Sequence, residues 1–450
     1  MHDRPQYIRD TIVAPATPPG KGGVAVVRIS GDDAESVGRK ILSDIPKPRH
    51  ASNRIFYDGA SRPIDSGIVL YFPGPASYTG ESVIELQGHG GPIITNMLLE
   101  AAIEFGARRA APGEFSQRAF LNGKLDLAQA EAIADLIDSG TAQAVRAAHR
   151  SLTGVFSIAV FALIETVIQL RLHVEAAIDF PEEEIDFLSD QALLTKLKNC
   201  EAAFTDLLNK AAAGRILRDG LRFVIAGQPN VGKSSLLNYL SGQDAAIVTE
   251  VAGTTRDIIR EQIDIEGLSV ELVDTAGLRD NPDRIEAEGI RKAREVMQTA
   301  DAVLWVKDAT APQTESLAEE FPSDLPVIVI RNKIDLCDND AHETPTSNQS
   351  INLSAKTGKG MDALKSAMTA FAGYEDSGEG AFTARRRHVV ALQQAFDHFG
   401  IGYAALIDDR AGEILAEELR LAQSSLSQIT GDFSSDDLLG RIFSEFCIGK

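Results

Sequence analysis

The chain has 450 residues, and its 44 lysines and arginines against 65 aspartates and glutamates give a net charge of −21. A chain of this length holds about two to four domains. Its acidic surface repels the phosphate backbone of nucleic acids at long range, which excludes nucleic-acid binding over a broad surface. Binding would need a local basic patch or a basic partner. Its three cysteines, Cys200, Cys337 and Cys447, have no paired spacing. This excludes a disulfide framework and a cysteine zinc site, and it indicates a reducing cytoplasm.

Residues 1–120 predict a separate, β-rich domain. Short apolar runs at residues 24–29, 66–72 and 82–86 are separated by glycine and proline, which is typical of strands joined by turns. Glu85 lies between two apolar residues of the third run, so it points to the opposite face of the strand from them. Its carboxylate could pair there with a heterocycle that carries adjacent N–H donors.

Residues 121–215 predict the first part of a helical domain. The apolar residues here have the 3.6-residue spacing of an amphipathic helix. They are Leu127, Ala130, Ile133, Ala134 and Ile137. The longest uncharged apolar stretch, residues 151–164, is shorter than the ~18 residues that a membrane span needs. Because the N-terminus also shows no signal-peptide pattern, the sequence predicts a soluble cytoplasmic protein with no membrane contact.

Residues 216–378 predict a GTPase domain, whose phosphate-binding loop is GQPNVGKS at residues 227–234. An apolar run precedes the loop and a helical pattern follows it, which is the context that this motif requires. Triphosphate oxygens bind backbone N–H groups of the loop, the helix N-terminus and the Lys233 ammonium, and Ser234 is the expected magnesium ligand. The predicted phosphate-binding residues are Asn230, Val231, Gly232, Lys233, Ser234 and Ser235.

Two later motifs predict the rest of the magnesium and phosphate site. A strand-like run ends in Asp274, and it is followed by Gly277, whose N–H can sense the γ-phosphate. Between this run and the phosphate-binding loop, the sequence GTTRD at residues 253–257 supplies Thr255 as a second magnesium ligand.

Another strand, at residues 327–331, leads into a base-reading motif formed by Asn332, Lys333 and Asp335. The Asp335 carboxylate can accept hydrogen bonds from N1–H and the exocyclic amine of guanine, whereas adenine presents an unprotonated N1. The stem of Lys333 packs on the ring. These motifs in this order predict GTP as the nucleotide. A backbone contact to the guanine oxygen is expected from Ser354, Ala355 and Lys356.

The residue after the switch glycine is Leu278, where Ras-type GTPases carry the glutamine that orients the attacking water. A leucine cannot hold a water, so another group must do so. No arginine finger is obvious, although Arg256 and Arg279 lie close enough in sequence to remain candidates for one. The Asn230 side chain offers a carbonyl beside the phosphates, where a monovalent cation would supply the missing charge. The sequence therefore predicts potassium-assisted hydrolysis, with a merely structural asparagine as the alternative.

Residues 379–450 predict the second part of the helical domain. The simplest arrangement is therefore one discontinuous helical domain that the GTPase domain interrupts. A basic run at residues 385–388 is the best local candidate for contacts to nucleic acid, with a solvated helix face as the alternative. Five apolar residues have a heptad-like spacing, which suits a helical bundle or a dimer seam. They are Leu415, Leu419, Ala422, Leu426 and Ile429.

An apolar helix runs straight into the last four residues, CIGK. A buried, inert thiol is one interpretation of Cys447. The other is a terminal segment placed at an active site, with Cys447 as the thiol and Lys450 as a cation.

Several runs together resemble the family of tRNA-modification GTPases known as MnmE or TrmE. The resemblance covers essentially the whole chain, and the specific part lies in the N-terminal runs and the last four residues. The runs are ATPPGKGG at residues 16–23, YTGE at 78–81, ELQGHGG at 85–91, PGEFSQRAFLNGKLDLAQAE at 112–131, the GQPN start of the phosphate-binding loop, and CIGK at 447–450.

The resemblance implies a multidomain α/β fold with a β-rich, tetrahydrofolate-binding-like N-terminal domain, a discontinuous α-helical domain and an inserted Ras-like P-loop GTPase domain. It also implies a homodimer that works on tRNA with a flavin (FAD)-dependent partner, in a heterotetramer-type complex. The implied reaction adds a (carboxymethyl)aminomethyl group at C5 of the wobble uridine. The implied cofactors are GTP, Mg²⁺, K⁺ and 5-formyltetrahydrofolate.

The resemblance also implies roles for single residues. Glu286 matches the acidic residue that positions the hydrolytic water indirectly, which would answer the problem posed by Leu278. Asp274, Glu286 and Cys447 are the expected catalytic residues. The folate would be contacted by Arg28, Glu85, Lys124 and Lys450, and potassium would be enclosed by Asn230, Thr254 and the backbone of Thr249 and Val251.

Two other functions remain open from the sequence. A regulatory switch of the ribosome-assembly type would share the phosphate-binding loop and the leucine after the switch glycine, but it would be expected to carry a basic RNA-binding module, and no such segment is apparent. A folate-dependent one-carbon transferase that GTP regulates is the second alternative.

Overall fold

The structure is a computed structural model, and it describes residues 9–179, 191–244, 259–274, 300–311, 325–337, 350–371, 381–431, 436–444, 446 and 449. The chain forms two compact units. The first contains residues 1–134, 152–200 and 394–450, and the second contains residues 135–151 and 201–393. Each unit therefore combines segments that are distant in sequence.

The described helices, in chain order, are α1 (Ala34–Leu42), α2 (Pro92–Glu104), α3 (Glu114–Leu121), α4 (Leu127–Asp138), α5 (Ala142–Leu152), α6 (Val155–Asp179), α7 (Gln191–Asp219), α8 (Lys233–Asp244), α9 (Met361–Phe371), α10 (Arg386–Asp409), α11 (Gly412–Thr430) and α12 (Asp436–Ser444). The described strands are β1 (Ile12–Pro15), β2 (Gly22–Ser30), β3 (Ser52–Tyr57), β4 (Pro63–Phe72), β5 (Val83–Gly90), β6 (Arg108–Arg109), β7 (Leu221–Ala226), β8 (Ile259–Ile265), β9 (Leu268–Asp274), β10 (Ala302–Asp308), β11 (Val327–Asn332) and β12 (Ser350–Asn352). The mixed α/β architecture expected from the sequence is confirmed.

Within the described residues, the first unit contains a six-stranded sheet in the order β3-β4-β5-β2-β1-β6. Its neighbouring strands run antiparallel, apart from the parallel pair β1 and β6. The three predicted apolar runs lie in β2, β4 and β5. The prediction of a β-rich segment at the N-terminus is therefore confirmed.

Helices α1 and α2 cover one face of this sheet. Val27 of β2 and the two apolar neighbours of Glu85 in β5 are buried in the same hydrophobic cluster as residues from both helices. Because side chains alternate along a strand, Arg28 and Glu85 point to the other face. These two residues lie directly opposite each other in the β2–β5 ladder.

The heptad-like residues of the C-terminal part line one face of α11, and this helix packs along α6 within the first unit. The packing removes the whole apolar stripe from water inside a single chain, which favours the helical bundle over the dimer seam for this face. The fully buried residues are Leu415, Leu419, Ala422, Leu426 and Ile429.

The C-terminal helix α12 packs on the junction between α3 and α4. Phe443 and Phe446 share a buried cluster with Phe120 and Leu127. Beyond it, the backbone of Gly449 lies so close to β1 that a Cβ there would be 2.0 Å from the carbonyl oxygen of Pro15. The chain terminus is thus held against the N-terminal sheet, although Cys447 and Lys450 themselves lie outside the described residues.

Helix α6 is apolar over most of its length. In the part of the chain that the structure describes, its residues Val155–Ile178 form one helix long and apolar enough to cross a membrane by length and composition, with a mean hydropathy of 1.9. This stretch is longer than the uncharged residues 151–164 because it continues past Glu165 and Arg171. Of the window, 39% is buried, and the helix packs on α11, which is also how the core helix of a helical domain behaves.

The second unit contains a sheet in the order β12-β11-β10-β7-β9-β8, in which only the edge pair β8 and β9 is antiparallel among the described strands. Its strands carry near-continuous apolar runs, because both faces of a parallel sheet are covered. Helices α8 and α9 contribute to the same buried cluster as β7, β9 and β10. In such sheets, ligands bind at the carboxyl ends of the strands.

A single carboxylate, Asp135 of α4, contacts both chain segments that flank this sheet. Arg218, three residues before β7, donates from Nε to Asp135 Oδ1 at 2.8 Å, and Arg385, immediately before α10, donates from Nη2 to the same oxygen at 2.8 Å. Only 5% of the Asp135 side chain is exposed. Burial by itself would lower the pKa of Arg218, but the charges and hydrogen bonds of Asp135 and then Asp219 together outweigh burial and raise this pKa.

Replacing Asp135 by alanine should destabilise the second unit, because two guanidinium groups would lose their shared counter-charge in a mostly buried place. We expect Asp135→Ala to lower the free energy of unfolding of this unit by about 3 kcal/mol. Trp305, the sole tryptophan, is buried in β10, so its fluorescence during urea unfolding reports on this unit. The control is Asp206→Ala, which breaks an exposed pair with Lys210 and should cost less than about 0.5 kcal/mol. Equal losses in both variants would contradict the interpretation.

Candidate functional site

The phosphate-binding loop joins the end of β7 to the start of α8 at Lys233. Gly232 has a left-handed backbone with φ 100°, and a Cβ there would lie 2.3 Å from the Nδ2 atom of Asn332, so only glycine fits. The Lys233 ammonium donates to the carbonyl oxygens of Gly227 at 2.9 Å and Gln228 at 2.8 Å. Ser234 and Ser235 are exposed at the N-terminus of α8, where helix N–H groups favour an anion.

Asn332 connects the predicted base-reading motif to two other loops. Its side chain is buried, with 2% exposed. The Nδ2 atom donates to the carbonyl oxygen of Val231 at 2.8 Å, and the Oδ1 atom accepts from the backbone N–H of Ala355 at 2.9 Å. The phosphate loop and both base-reading segments, which are far apart in sequence, therefore meet in one place.

The carboxylate that was predicted to read guanine is also held in place. Ser354 Oγ donates to Asp335 Oδ1 at 2.6 Å, and Ser354 itself is fully buried. This bond fixes one carboxylate oxygen of Asp335. Lys356, the last residue of the predicted guanine-contacting run, is exposed.

Lys333 bridges the base-reading motif and the phosphate loop. Its Nζ atom donates to the carbonyl oxygen of Asn230 at 2.6 Å and to Asp308 Oδ2 at 2.7 Å. Asp308 was not singled out from the sequence. The available signal was its position at the end of a buried strand, β10, where it pairs in register with Asn332 of β11. Hydrogen bonds from Lys333 and then Thr310 lower the pKa of Asp308 to about 2.

The remaining predicted residues of the nucleotide site are described in part or not at all. Asp274 ends β9 beside Ile225 of β7, so its backbone lies next to the strand that leads into the phosphate loop. Leu278, Arg256 and Arg279 lie outside the described residues. So do the other predicted residues of the nucleotide site, which are Thr249, Val251, Thr254, Thr255, Gly277 and Glu286.

A second group of predicted residues meets on the face of the N-terminal sheet that is turned away from α1 and α2. Arg28 donates from Nε to Glu85 Oε1 at 3.0 Å and lies 2.9 Å from the same oxygen through Nη2. The Arg28 guanidinium carbon lies 5.4 Å from the ring centre of Tyr78 and 5.8 Å from that of Phe115. Aromatic faces attract such a cation within about 6 Å, so both rings stabilise the arginine.

The loop that carries Tyr78 also contacts Lys124, whose ammonium donates to the carbonyl oxygen of Pro75 at 3.0 Å. The hydroxyl groups of Tyr78 and Ser116 are 2.8 Å apart, and burial raises the pKa of Tyr78. Of the four predicted folate contacts, Arg28 and Lys124 therefore both contact this loop, and Glu85 is joined to it through Arg28. The fourth, Lys450, lies outside the described residues.

A buried ionic cluster anchors this loop. Arg118, with 1% of its side chain exposed, contacts Glu81 at 3.1 Å, Glu114 at 2.9 Å and Asp10 at 2.7 Å. Glu81 also accepts a hydrogen bond from Ser30 Oγ of β2 at 2.7 Å. A buried charge needs partners to offset its desolvation, so this cluster ties the loop to the strand that carries Arg28.

The predicted basic run at residues 385–388 forms neither a free patch nor a fully solvated face. Arg385 is buried against Asp135, and His388 is 2% exposed and accepts from the Arg385 backbone N–H at 3.0 Å. Half of the run is therefore used inside the protein. Among the cysteines, Cys200 is buried, and burial raises its pKa to about 12, so it is unreactive.

Two family models match the chain. The model described as the GTP-binding protein TrmE N-terminus matches residues 11–124, and the model described as the MnmE helical domain matches residues 127–447. Among solved structures, the G domain of the T. maritima FeoB iron transporter is 27% identical, covers 34% of this chain and 98% of that chain, and has a TM-score of 0.27. A GTP-binding protein from Sulfolobus solfataricus in complex with GDP is 20% identical, covers 47% of this chain and 67% of that chain, and has a TM-score of 0.27.

Proposed function

Because this chain belongs to the MnmE/TrmE family of tRNA-modification GTPases, we propose that its GTP hydrolysis drives the addition of a (carboxymethyl)aminomethyl group at C5 of the wobble uridine. A flavin-dependent partner and a folate one-carbon donor take part in this reaction. The observation that carries the proposal is the match of two family models along nearly the whole chain, together with a GTP site whose loops Asn332 joins.

In the nucleotide site, the loop N–H groups and Lys233 bind the β- and γ-phosphates, and Asp335 selects guanine. Ser234 and Thr255 would hold Mg²⁺, which would supply positive charge to the phosphate oxygens. Asp274 lies at the end of the strand beside the phosphate loop, where a carboxylate supports the metal site. Glu286 positions the attacking water, a task for which Leu278 has no polar group.

Potassium is the proposed activator of hydrolysis. Asn230 holds it together with Thr254 and the backbone of Thr249 and Val251. The fit is supported at Asn230, whose backbone adopts a left-handed φ of 65° and whose carbonyl accepts from Lys333, so that its side chain starts from a fixed main chain. The cation would supply the charge that an arginine finger supplies elsewhere.

The folate site is proposed on the face of β2 and β5 that carries Arg28 and Glu85. A carboxylate with a free oxygen can accept from the adjacent N–H donors of a pterin, and Glu85 uses one oxygen for Arg28. Tyr78 and Phe115 give this place an apolar wall. Lys124 and Lys450 would bind the anionic part of 5-formyltetrahydrofolate, and the closeness of Gly449 to β1 supports the placement of the C-terminus near this face.

The partners follow from charge and exposed surface. With a net charge of −21, the chain gains little from direct phosphate contacts, which supports a flavin-dependent partner that binds most of the tRNA in a heterotetramer-type complex. Ile55 and Ile68 are 47% and 45% exposed and lie on one face of the neighbouring strands β3 and β4. Exposed apolar neighbours mark an interaction surface, which supports a homodimer; light scattering that gives a monomer mass would overturn this.

The proposed function is tested by mass spectrometry of wobble-uridine nucleosides in tRNA from cells with and without this gene. We expect the C5-aminomethyl class to disappear without the gene. Wild type and the surface control Asp206→Ala should restore it, whereas Asp274→Ala should not. Unchanged nucleosides would reject the proposal and leave a regulatory GTPase switch. In the same assay, full modification by Cys447→Ser would assign that cysteine a structural role.

Potassium dependence is tested by the rate of GTP hydrolysis in equal concentrations of potassium and sodium chloride. Wild type should hydrolyse GTP at least about tenfold faster with potassium, since one electrostatic donor at a developing charge contributes about 10²–10³-fold. Asn230→Ala should lose this difference, whereas Asn209→Ala, at an exposed position of α7, should keep it. Equal rates in both salts would exclude the cation.

Folate binding is tested by calorimetry with 5-formyltetrahydrofolate. Glu85→Gln should weaken binding by about tenfold or more, because a carboxylate would no longer accept the pterin N–H groups. GTP hydrolysis should not change. Glu100→Gln, at an exposed position of α2, is the matched control. Removal of Lys450 should weaken folate binding alone, and a parallel loss of GTP hydrolysis would mean that the terminus only supports the fold.

A further inference from the structure

We propose that Asp308 is a positioning residue for the bound nucleotide: it holds Lys333 against the main chain of the phosphate-binding loop and thereby slows the release of GDP. The inference uses only the GTP-binding activity of the chain. It is independent of potassium, folate and tRNA, so its test can fail without affecting those proposals, and they can fail without affecting it.

The contacts of Asp308 divide between its two carboxylate oxygens. Oδ2 accepts from the Lys333 ammonium at 2.7 Å. Oδ1 accepts from the backbone N–H of Thr310 at 2.9 Å and from the Thr310 hydroxyl at 2.6 Å. Thr310 therefore fixes the orientation of the carboxylate and leaves the other oxygen for the lysine. Its lowered pKa keeps the group charged at any pH at which the protein works.

The second partner of Lys333 connects the Asp308–Lys333 pair to the phosphate-binding loop. Lys333 Nζ also donates to the carbonyl oxygen of Asn230 at 2.6 Å, so the ammonium joins the end of β10 to the phosphate loop. Both Asn230 and Lys333 have left-handed backbones, with φ of 65° and 70°. This conformation is unfavourable for residues with side chains and persists only where the surroundings enforce it. The hydrogen bond links the Lys333 side chain to the Asn230 backbone, and Asp308 anchors the link.

The same lysine lies between the two residues that read guanine. Asn332 precedes it and Asp335 follows it by two positions, and the lysine stem is the predicted platform for the base. A nucleotide leaves more easily when the base-reading motif can move away from the phosphate loop, and the Lys333 bridge opposes this movement together with the bond from Asn332 to Val231. An ammonium that has a carboxylate partner resists this more strongly than one whose remaining donors face water.

The test measures the release of GDP that carries a fluorescent N-methylanthraniloyl group, in the full chain, after mixing with excess unlabelled GDP. We expect Asp308→Asn to release it about 10- to 100-fold faster, the range for loss of one charge-assisted hydrogen bond. The matched control is Asp206→Asn. It removes a carboxylate that also lies 2.7 Å from a lysine ammonium, that of Lys210, but on the exposed surface of α7, and it should leave release unchanged.

A double-mutant comparison separates positioning from general loosening of the fold. Lys333→Met should also speed release, and Asp308→Asn combined with Lys333→Met should be no faster than Lys333→Met alone, because Asp308 acts through that lysine. The nucleotide-free Asp308→Asn chain should unfold, by circular dichroism, within about 2 °C of wild type, as expected when a partly exposed pair contributes little to stability. Release within twofold of wild type, additive effects in the double variant, or a large drop in unfolding temperature would each overturn the proposal.

Discussion

Asp135 is the charge that joins the two chain segments on either side of the GTPase sheet. Arg218, before the sheet, and Arg385, after it, bond to the same carboxylate oxygen. Only 5% of the Asp135 side chain is exposed, and a buried charge that loses its partner is costly. This shared bond therefore keeps the start and the end of the segment that forms the sheet close together.

The nucleotide site is organised by polar side chains that bond to main-chain groups of other loops. Asn332 joins Val231 and Ala355, Lys333 joins Asn230, and Asp308 holds Lys333. Main-chain carbonyls and N–H groups are fixed by the sheet behind them, so each such bond transfers the rigidity of the sheet to a loop. Such a site keeps the cost of ordering on binding low.

The N-terminal face is organised differently, by charges enclosed in aromatic and ionic surroundings. Arg28 lies close to two aromatic rings, and Arg118 pairs with Glu81 of the loop that carries Tyr78 and with two other carboxylates. Both arginines neutralise acidic residues in a chain with a large negative charge. A site that holds both a guanidinium and a carboxylate suits a ligand with both anionic groups and hydrogen-bond donors.

The sequence by itself determined the kinds of elements, their order and the chemistry of the GTP motifs. Alternation around Glu85, the 3.6-residue spacing from Leu127 and the glycine of the phosphate loop are local signals, set by backbone geometry within a few residues. Only the tertiary structure decided what depends on contacts between distant segments. It showed that Arg385 pairs with Asp135 and that the apolar stripe on α11 is buried within its own chain. It also showed that Asp308 holds Lys333. These depend on which strand ends and helix faces the fold brings together. The side chains involved carry no local pattern that would reveal their partners.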